Sequence, residues 1–426
     1  MSIGKLALKE EILRKVLVEL DILDYSPIKG CYFVLPYGRF LLDQIHNKII
    51  KNLDHQKIIS PTLINKDIFN LEPVPTDITS ETFTINQKSY LLKPTSEMLL
   101  YPFLKNKALS SKYLPIKIYC QNSVFRRENS TNIGIRSQEI FGFLEHHALH
   151  INHQQNLKNI QEIKKVYIDM FKSLNIPIKL LTRTEDDRFP GANKTIAFDT
   201  IIENHRLQLG TIHDLGTNFS IPLSIKYKTT QNSYAYPYIN CAGISERVLY
   251  SLIYFNYDFE DKILKLPKDI LLENIIVNKK IFCAEDLIKI SKIKGIKYCN
   301  TFNYAINKED IKSLIRKGYR YTLRKNKEQN FILVDNYLKK DLIIQNLFDI
   351  EDSMIVENSN INILDIVELE LENVFDFDHD FPFKVRYNNN DHNSVIEVML
   401  EILQNEKIKT SIYGYDSEFI YLGRTY

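Results

Sequence analysis

No tryptophan occurs in this chain, and cysteine appears only five times, at Cys31, Cys120, Cys241, Cys283 and Cys299. An odd, scattered set of thiols argues against a disulfide framework and for a reducing compartment, the cytoplasm by default. No two cysteines form a CxxC pair, so a cysteine-rich zinc knuckle is not expected. Long apolar runs are also missing. None approaches the ~18 residues that a membrane span needs, so no membrane association is expected. The first residues, MSIGKLALKEEILRKVLVELDIL, carry a charge every few positions and read as an amphipathic helix instead of a signal peptide. Net charge is small, at +2. It is unevenly spread: from Lys279 to Lys340, 16 Lys and Arg face 6 Asp and Glu, a local balance of +10. From Asp341 to Phe383 there are 12 acidic residues and no Lys or Arg. A basic module beside an acidic one suits a middle segment that touches a polyanion, or a solvated lysine-rich surface.

What is present is a chain of 426 residues with 44% hydrophobic and 25% charged residues, enough for two or three soluble domains. Residues 1–265 alternate helical and strand-like patterns. Leu41 to Leu53 and Asn156 to Leu174 have helical spacing, and Gly243 to Phe255 returns to it. Lys57 to Pro61, Tyr90 to Pro94, Ile116 to Arg127, Phe141 to His147, Ile178 to Thr184, Thr195 to Ile202, Arg206 to Leu215 and Leu223 to Tyr227 read as strands. Pro94 stops its strand and opens a helix at Thr95. Strands joined by hairpins, with helices around them, predict an α+β fold on an antiparallel sheet. The pattern changes near Leu266. Residues 266–350 read as a small α/β domain, and residues 351–426 as a reduced α+β C-terminal domain with alternation at Ile366 to Phe377 and a helix at Ser394 to Gln404. No internal repeat is visible.

Several residues could carry chemistry. Arg126 and Glu128 lie two apart, which on a strand puts both on one face. The guanidinium could grip a phosphate bidentately, and the carboxylate could face an amino group. Alone, such a pair is more often a surface ion pair. Arg136 and Phe141 follow. Gly243 and Arg247 bracket a turn that opens an apolar helix, a suitable anion clamp. His146, His147, His150 and His153 are dense enough to suggest a metal site, but they lack cysteine or an HExxH helix. Cys241 reads as a pocket-lining residue before a nucleophile. Tyr319 to Asp335 alternates basic and aromatic residues, as a nucleic-acid surface or an amphipathic hairpin would.

In this order and spacing, these residues resemble the catalytic core of a class II aminoacyl-tRNA synthetase, and within that class the prolyl-tRNA synthetases. Leu92 to Glu97 (LKPTSE) is similar to that family's (R/K)PTSE. Asp187 to Ala192 (DRFPGA) is similar to its ERFAGA, and Leu207 to Phe219 (LQLGTIHDLGTNF) to its LQxGTSHxLGQNF. Glu145 to His150 (EHHALH) follows the EGHTAH of the archaeal and eukaryotic-type branch. The resemblance is strong over residues 25–260. It implies ATP and Mg²⁺, proline and tRNA(Pro) as ligands, and a homodimer formed through the Pro61 region. It implies that Thr95, Glu97, Arg126, Phe143, Glu145, His147, Phe189, Cys241 and Gly243 form the proline pocket. Arg126, Glu128, Arg136, Phe141, Gln208, Thr211, His213 and Arg247 would hold ATP, with Arg126 and Arg247 stabilising charge on the phosphates. Family members place the adenine-stacking aromatic four residues after the arginine. Here the fourth residue is Ile140 and the aromatic Phe141 is fifth, so a local insertion is implied. Residues 266–350 would be the anticodon-binding domain. The last segment lacks the zinc cysteines of many relatives but ends in Leu422 to Tyr426 (LGRTY), close to their terminal GRSY, which implies that this end still docks on the catalytic domain. The 57 residues between His150 and Gln208 leave no room for a bacterial-type editing domain.

Two other readings use the same residues. One is a paralogue that activates an amino acid but loads a different acceptor. The other is a non-catalytic, synthetase-like binding protein. Such proteins usually lose the ATP arginines, whereas Arg126, Arg136 and Arg247 are all present.

Overall fold

The computed structural model describes residues 3–69, 82–85, 89–107, 110–203, 205–267, 270, 275–277, 308–326, 330–344, 367–369, 383–387, 393, 395–397, 399–400 and 411–425. Its centre is a sheet of eleven strands. Their order is Val367–Leu369, Phe383–Arg386, Phe419–Thr425, Ser411–Tyr415, Lys179–Thr182, Lys194–Ile202, His205–Gly216, Tyr238–Ile244, Leu144–His150, Ile116–Gln121 and Gln56–Ile58. From Phe383–Arg386 through Ile116–Gln121, neighbours in this order run antiparallel, and only the pairs at the two ends are parallel. The expected α+β fold with an antiparallel sheet is therefore what the chain adopts.

The helix His153–Ser173 covers one face of the sheet. Asn152 caps it by accepting the Gln155 N–H at 2.9 Å, a contact worth ~1 kcal/mol. Its buried residues recur at helical spacing: Ile160, Ile163, Tyr167, Met170 and Phe171 share a core with Phe198, Leu207, Leu209 and Ile212, while Asn156 and Asn159 bond to Asn240. The helix Pro36–Ile50 starts with proline, whose missing N–H costs nothing in a first turn, and joins the same core. The helix Arg247–Asn256 is buried almost all round. The opposite face of the sheet carries the polar residues described below. Close strand approach there requires Gly210, where a Cβ would lie 2.7 Å from the Gly243 carbonyl oxygen.

The segment expected as a separate C-terminal domain adds its strands to this same sheet. Thr182 pairs with Tyr415, and His205 and Arg206 pair in parallel with Arg424 and Thr425. The alternation expected at Ile366 to Phe377 and the helix expected at Ser394 to Gln404 fall largely outside the described residues, as does Tyr426. A second, four-stranded sheet joins Ile275–Val277, Tyr321–Lys325, Phe331–Asp335 and Lys340–Ile344. Within the stretch Tyr319 to Asp335, Tyr321–Lys325 and Phe331–Asp335 pair antiparallel, an arrangement that fits either reading of it. Tyr37 donates to the Lys317 carbonyl, Lys317 pairs with Asp21, and Tyr337 donates to the Leu264 carbonyl at 3.0 Å, so this module rests on the first one.

Candidate active site

Three adjacent strands build the floor of the site. Across Leu144–His150, Tyr238–Ile244 and His205–Gly216, one row aligns Glu145, Gly243 and Thr211, and the next aligns His147, Cys241 and His213. Because side chains alternate across a strand, both rows face one side. Gln208 has the wrong parity to join them. A register shift between Phe198 and Asp199 skips Leu209 and pairs Asp199 with Gln208, which turns Gln208 onto the same face.

Above this floor lies a cavity of about 330 Å³. It is lined by Thr95, Glu97, Arg126, Glu128, Arg136, Phe143, Glu145, His147, Phe189, Gln208, Thr211, His213, Cys241, Gly243 and Arg247. These are all the expected site residues except Phe141. Phe141 packs against the core instead, and Ile140 lines the cavity in its place. The reason is local: Glu139–Ile140 is a short strand, and Phe141 and Gly142 form the turn before Leu144–His150. The extra residue is absorbed in that turn, so Phe143, Glu145 and His147 keep their places while the aromatic swings out. A second correction concerns Arg126 and Glu128. Their strand ends at Phe125, so both stand in the following loop, where Arg126 continues the ladder with one bond from its N–H to the Gln138 carbonyl at 2.9 Å.

One end of the cavity is cationic. Arg247 donates from Nε to the Ile135 carbonyl at 2.7 Å and from Nη1 to the Gln208 carbonyl at 3.3 Å. Arg136 lies 3.8 Å from Glu128. Glu246, which the sequence reading did not single out, lies buried beside Arg247, and burial pushes its carboxyl up to about 7. Its Oε2 has no hydrogen-bond partner among the described residues.

The other end is a buried polar network. Thr95 donates to Glu97, and Ser96 donates to Glu145. Lys93, fully buried, reaches Ser60 Oγ at 2.6 Å and Ser96 Oγ at 3.1 Å. Burial pushes the Glu145 carboxyl up. The His147 hydrogen bond, the Lys93 charge and the Ser96 hydroxyl more than offset this, so the group titrates below its usual range. His147 faces Glu145 through Nε2 at 3.4 Å and the Tyr101 hydroxyl through Nδ1 at 3.2 Å. A carboxylate only accepts, so Nε2 carries the proton and Nδ1 accepts from Tyr101. Burial pushes the Cys241 thiol well above its ordinary range, with Glu97 adding to the effect. A thiol held neutral is a pocket wall and a poor nucleophile. Lys93, Ser96 and Tyr101 were missed in the sequence. Lys93 and Ser96 lie within the LKPTSE string that had been noted.

On the third side the His213 and Phe189 rings pack at a tilt of 36°, with centroids 4.7 Å apart. Thr195 Oγ1 accepts from the Phe189 N–H at 3.1 Å and so can donate to His213 Nδ1 at 2.9 Å. That leaves Nε2–H for Thr211 Oγ1 at 2.8 Å. Burial lowers His213 to about 3, so it works as a neutral donor and acceptor.

The four clustered histidines do not converge on a metal. His147 faces the cavity, while His146 and His150 lie on the opposite, helix-covered side of the strand. His150 contacts Asn159 at 3.3 Å, and His153 lies 3.7 Å from Asp214. Among the described residues, Glu97, His147 and Cys241 do bring ligand atoms within 4.8 Å of one another. Both ring nitrogens of His147 already face Tyr101 and Glu145.

Buried neutral histidines set an expected pH dependence. His46 is held at about 4, chiefly by burial, with Gly142 O and Gln121 as partners, and His55 is also held at about 4 by burial. Unfolded histidines take up protons near pH 6.5, so the unfolded state binds more protons between about pH 4 and 6.5. Stability is therefore full above pH 6.5 and falls as pH drops through this window, by ~3 kcal/mol for His46 alone, whose ring is lowered from 6.5 to about 4. Glu246 opposes this with the reverse sign over pH 4.5 to 7. Urea unfolding at pH 7.5 and 5.0 should show a lower midpoint at pH 5.0. Equal midpoints would mean that these rings are accessible or already charged.

Comparison with known proteins bears on the same segment. Residues 81–256 match the family model described as tRNA synthetase class II core domain (G, H, P, S and T). The chain is 33% identical over 308 residues to the proline–tRNA ligase of Methanococcus vannielii, covering 69% of this chain and 66% of the relative. It is 34% identical over 314 residues to that of Methanocaldococcus jannaschii, covering 70% and 68%. The alignments thus span about two thirds of the length of these relatives. In fold, the chain matches Giardia lamblia prolyl-tRNA synthetase in complex with prolyl-adenylate, with a TM-score of 0.80 at 19% identity, over 99% of this chain and 98% of that one. The match of sequence and fold together establishes that the chain belongs to the proline–tRNA ligase family of class II aminoacyl-tRNA synthetases.

Proposed function

We propose that the chain activates proline with ATP and transfers it to tRNA(Pro), in the cytoplasm. The observation that carries this reading is the meeting of a cationic end and a Thr95–Glu97 acceptor end in one cavity. Thr95 and Glu97 accept from the secondary ammonium of proline, and Phe143 and Phe189 wall its ring. Arg126 binds the substrate carboxylate and the α-phosphate, and Arg247 binds the γ-phosphate. Glu128 accepts from the adenine amino group, Arg136 flanks the phosphates, and Gln208, Thr211 and His213 hold the ribose. The proline carboxylate attacks the α-phosphorus and pyrophosphate leaves. The 3′-terminal ribose hydroxyl of tRNA then attacks the carbonyl carbon and AMP leaves. Both steps depend on positioning and charge stabilisation, with no covalent enzyme intermediate. Mg²⁺ would neutralise phosphate charge. The hard Oε2 of Glu246, without a hydrogen-bond partner among the described residues, suits it. Residues 266–350, with their basic hairpin, are the proposed anticodon-binding region.

The first test is ATP–pyrophosphate exchange across a panel of amino acids, followed by charging of tRNA(Pro). Exchange with proline alone supports the reading. Exchange without charging favours the paralogue that loads another acceptor, and no exchange with any amino acid rejects an enzyme.

We further propose a homodimer through the edge of the main sheet at Gln56–Ile58. Next to that edge Ile59 is 84% exposed and Leu63 48% exposed, as an unpartnered apolar surface would be. Ile59→Asp should convert dimer to monomer in sedimentation equilibrium. A dimer that persists in this variant would place the interface elsewhere.

A further inference from the structure

The C-terminal strands meet the cavity through one buried arginine. Arg183 follows the strand Lys179–Thr182, and its side chain is 1% exposed. Its guanidinium donates to Asp199 Oδ1 at 2.6 Å, to Gln208 Oε1 at 2.9 Å and to the backbone carbonyl of Tyr413. Asp187, which lines the cavity, lies 3.4 Å from its Nε. Arg206 reinforces the cluster, 3.2 Å from Asp187 and with its guanidinium 5.0 Å from the centre of the Tyr413 ring.

The bond to Gln208 has a chemical consequence. An amide side chain offers one oxygen acceptor and two N–H donors, and it can flip. A guanidinium only donates, so it fixes the Gln208 oxygen toward Arg183. The two N–H donors are then left for the cavity, where they suit an acceptor-rich ligand such as ribose or phosphate. Arg183 keeps this pose because the strand Ser411–Tyr415 supplies the Tyr413 carbonyl. That strand can approach only because residue 414 is glycine: its φ is +148°, and a Cβ there would lie 2.4 Å from the Thr182 carbonyl oxygen.

We propose that Arg183 is a positioning residue that couples docking of the strand Ser411–Tyr415 to nucleotide binding, by orienting Gln208. The identity of the nucleotide rests on the function proposed above.

Gly414→Ala in the full chain should raise KM for ATP about tenfold, the scale of one lost bond to a charged ligand, and leave KM for proline within about twofold. Arg183→Lys, which leaves the Gly414 contact intact, should act the same way, because one ammonium nitrogen cannot stand in the places of both guanidinium nitrogens, Nη1 at the Tyr413 carbonyl and Nη2 at Asp199 and Gln208. Gln208→Ala should raise KM for ATP as well, and adding Gly414→Ala to it should raise it no further. The proposal is overturned if Gly414→Ala and Arg183→Lys leave KM for ATP unchanged, if they raise both KM values equally, or if the double variant is additive. Equilibrium dialysis with ATP separates this from the function itself. Unaltered protein that binds ATP but shows no proline exchange rejects the function, while the ATP dissociation constants of the variants still decide the coupling. Unaltered protein that binds no ATP rejects the coupling too.

Discussion

Arg126→Ala should lower proline-dependent ATP–pyrophosphate exchange by about a thousandfold or more. Arg126 lines the cavity just past the strand Val124–Phe125, with its backbone tied to the Gln138 carbonyl at 2.9 Å, so its side chain projects from a fixed base. In the proposed reaction it is the one cation that touches both reacting partners. It neutralises the attacking carboxylate enough for approach to the α-phosphate, then stabilises the charge that gathers on phosphate oxygens. A preorganised group of this kind contributes ~10²–10³ in rate when it meets one developing charge, and arginines at phosphoryl groups can contribute more. Arg126→Lys should recover only part of the loss, because an ammonium cannot bridge two oxygens in a plane. Exchange in Arg126→Ala within about tenfold of the unaltered protein would remove Arg126 from the centre of the mechanism.

Lys93→Met should destabilise the fold by roughly 3–5 kcal/mol, the cost of removing one partner from a buried charge network. Lys93 has no solvent exposure, and burial lowers its ammonium from the usual range while Glu145 holds it up. Without it, Ser60 and Ser96 lose a donor, and the Glu145 carboxylate is left buried without the Lys93 charge that helps to hold it ionised. The double variant Lys93→Met/Glu145→Leu should regain much of the stability, because charge and counter-charge leave together. Urea midpoints for the two single variants and the double complete the cycle. A Lys93→Met variant within about 1 kcal/mol of the unaltered protein would mean that water reaches this network and screens it.

Much of the site was legible because its residues sit in strings where spacing and chemistry reinforce each other. Pro94 ends a strand, and Thr95 and Glu97 follow at once. The positions Glu145 and His147 keep strand parity, so both reach the cavity as read. Phe141 failed because counting from Arg136 cannot show where an extra residue is absorbed. It lies in the turn at residues 141–142, and parity resumes only at Phe143. Gln208 reaches the cavity through a register shift that depends on the facing strand, which a single stretch of sequence does not reveal. The strand Tyr238–Ile244 was not recognised at all. It sits in mid-sheet with five of its seven residues buried, so YINCAGI carries no apolar–polar alternation to read. Its end at Gly243 and Ile244 was read as helix, whereas the helix begins at Arg247. The C-terminal strands were placed in a module of their own because sequence distance hides a pairing such as His205 with Arg424.

That pairing has a consequence for how the molecule is made. Residue 205 waits for residue 424, a separation of 219 positions, and Thr182 waits for Tyr415. During synthesis the strands from residue 179 to 244 emerge long before their last neighbours. Until residues 411–425 leave the ribosome, Lys179–Thr182 is an open edge that presents its backbone groups to any passing strand. Contacts this distant form late, and the unfinished chain is most prone to misassociate in that interval. The nascent chain therefore acquires the floor of its cavity early, and the support behind Gln208 only once residues 411–425 have been made.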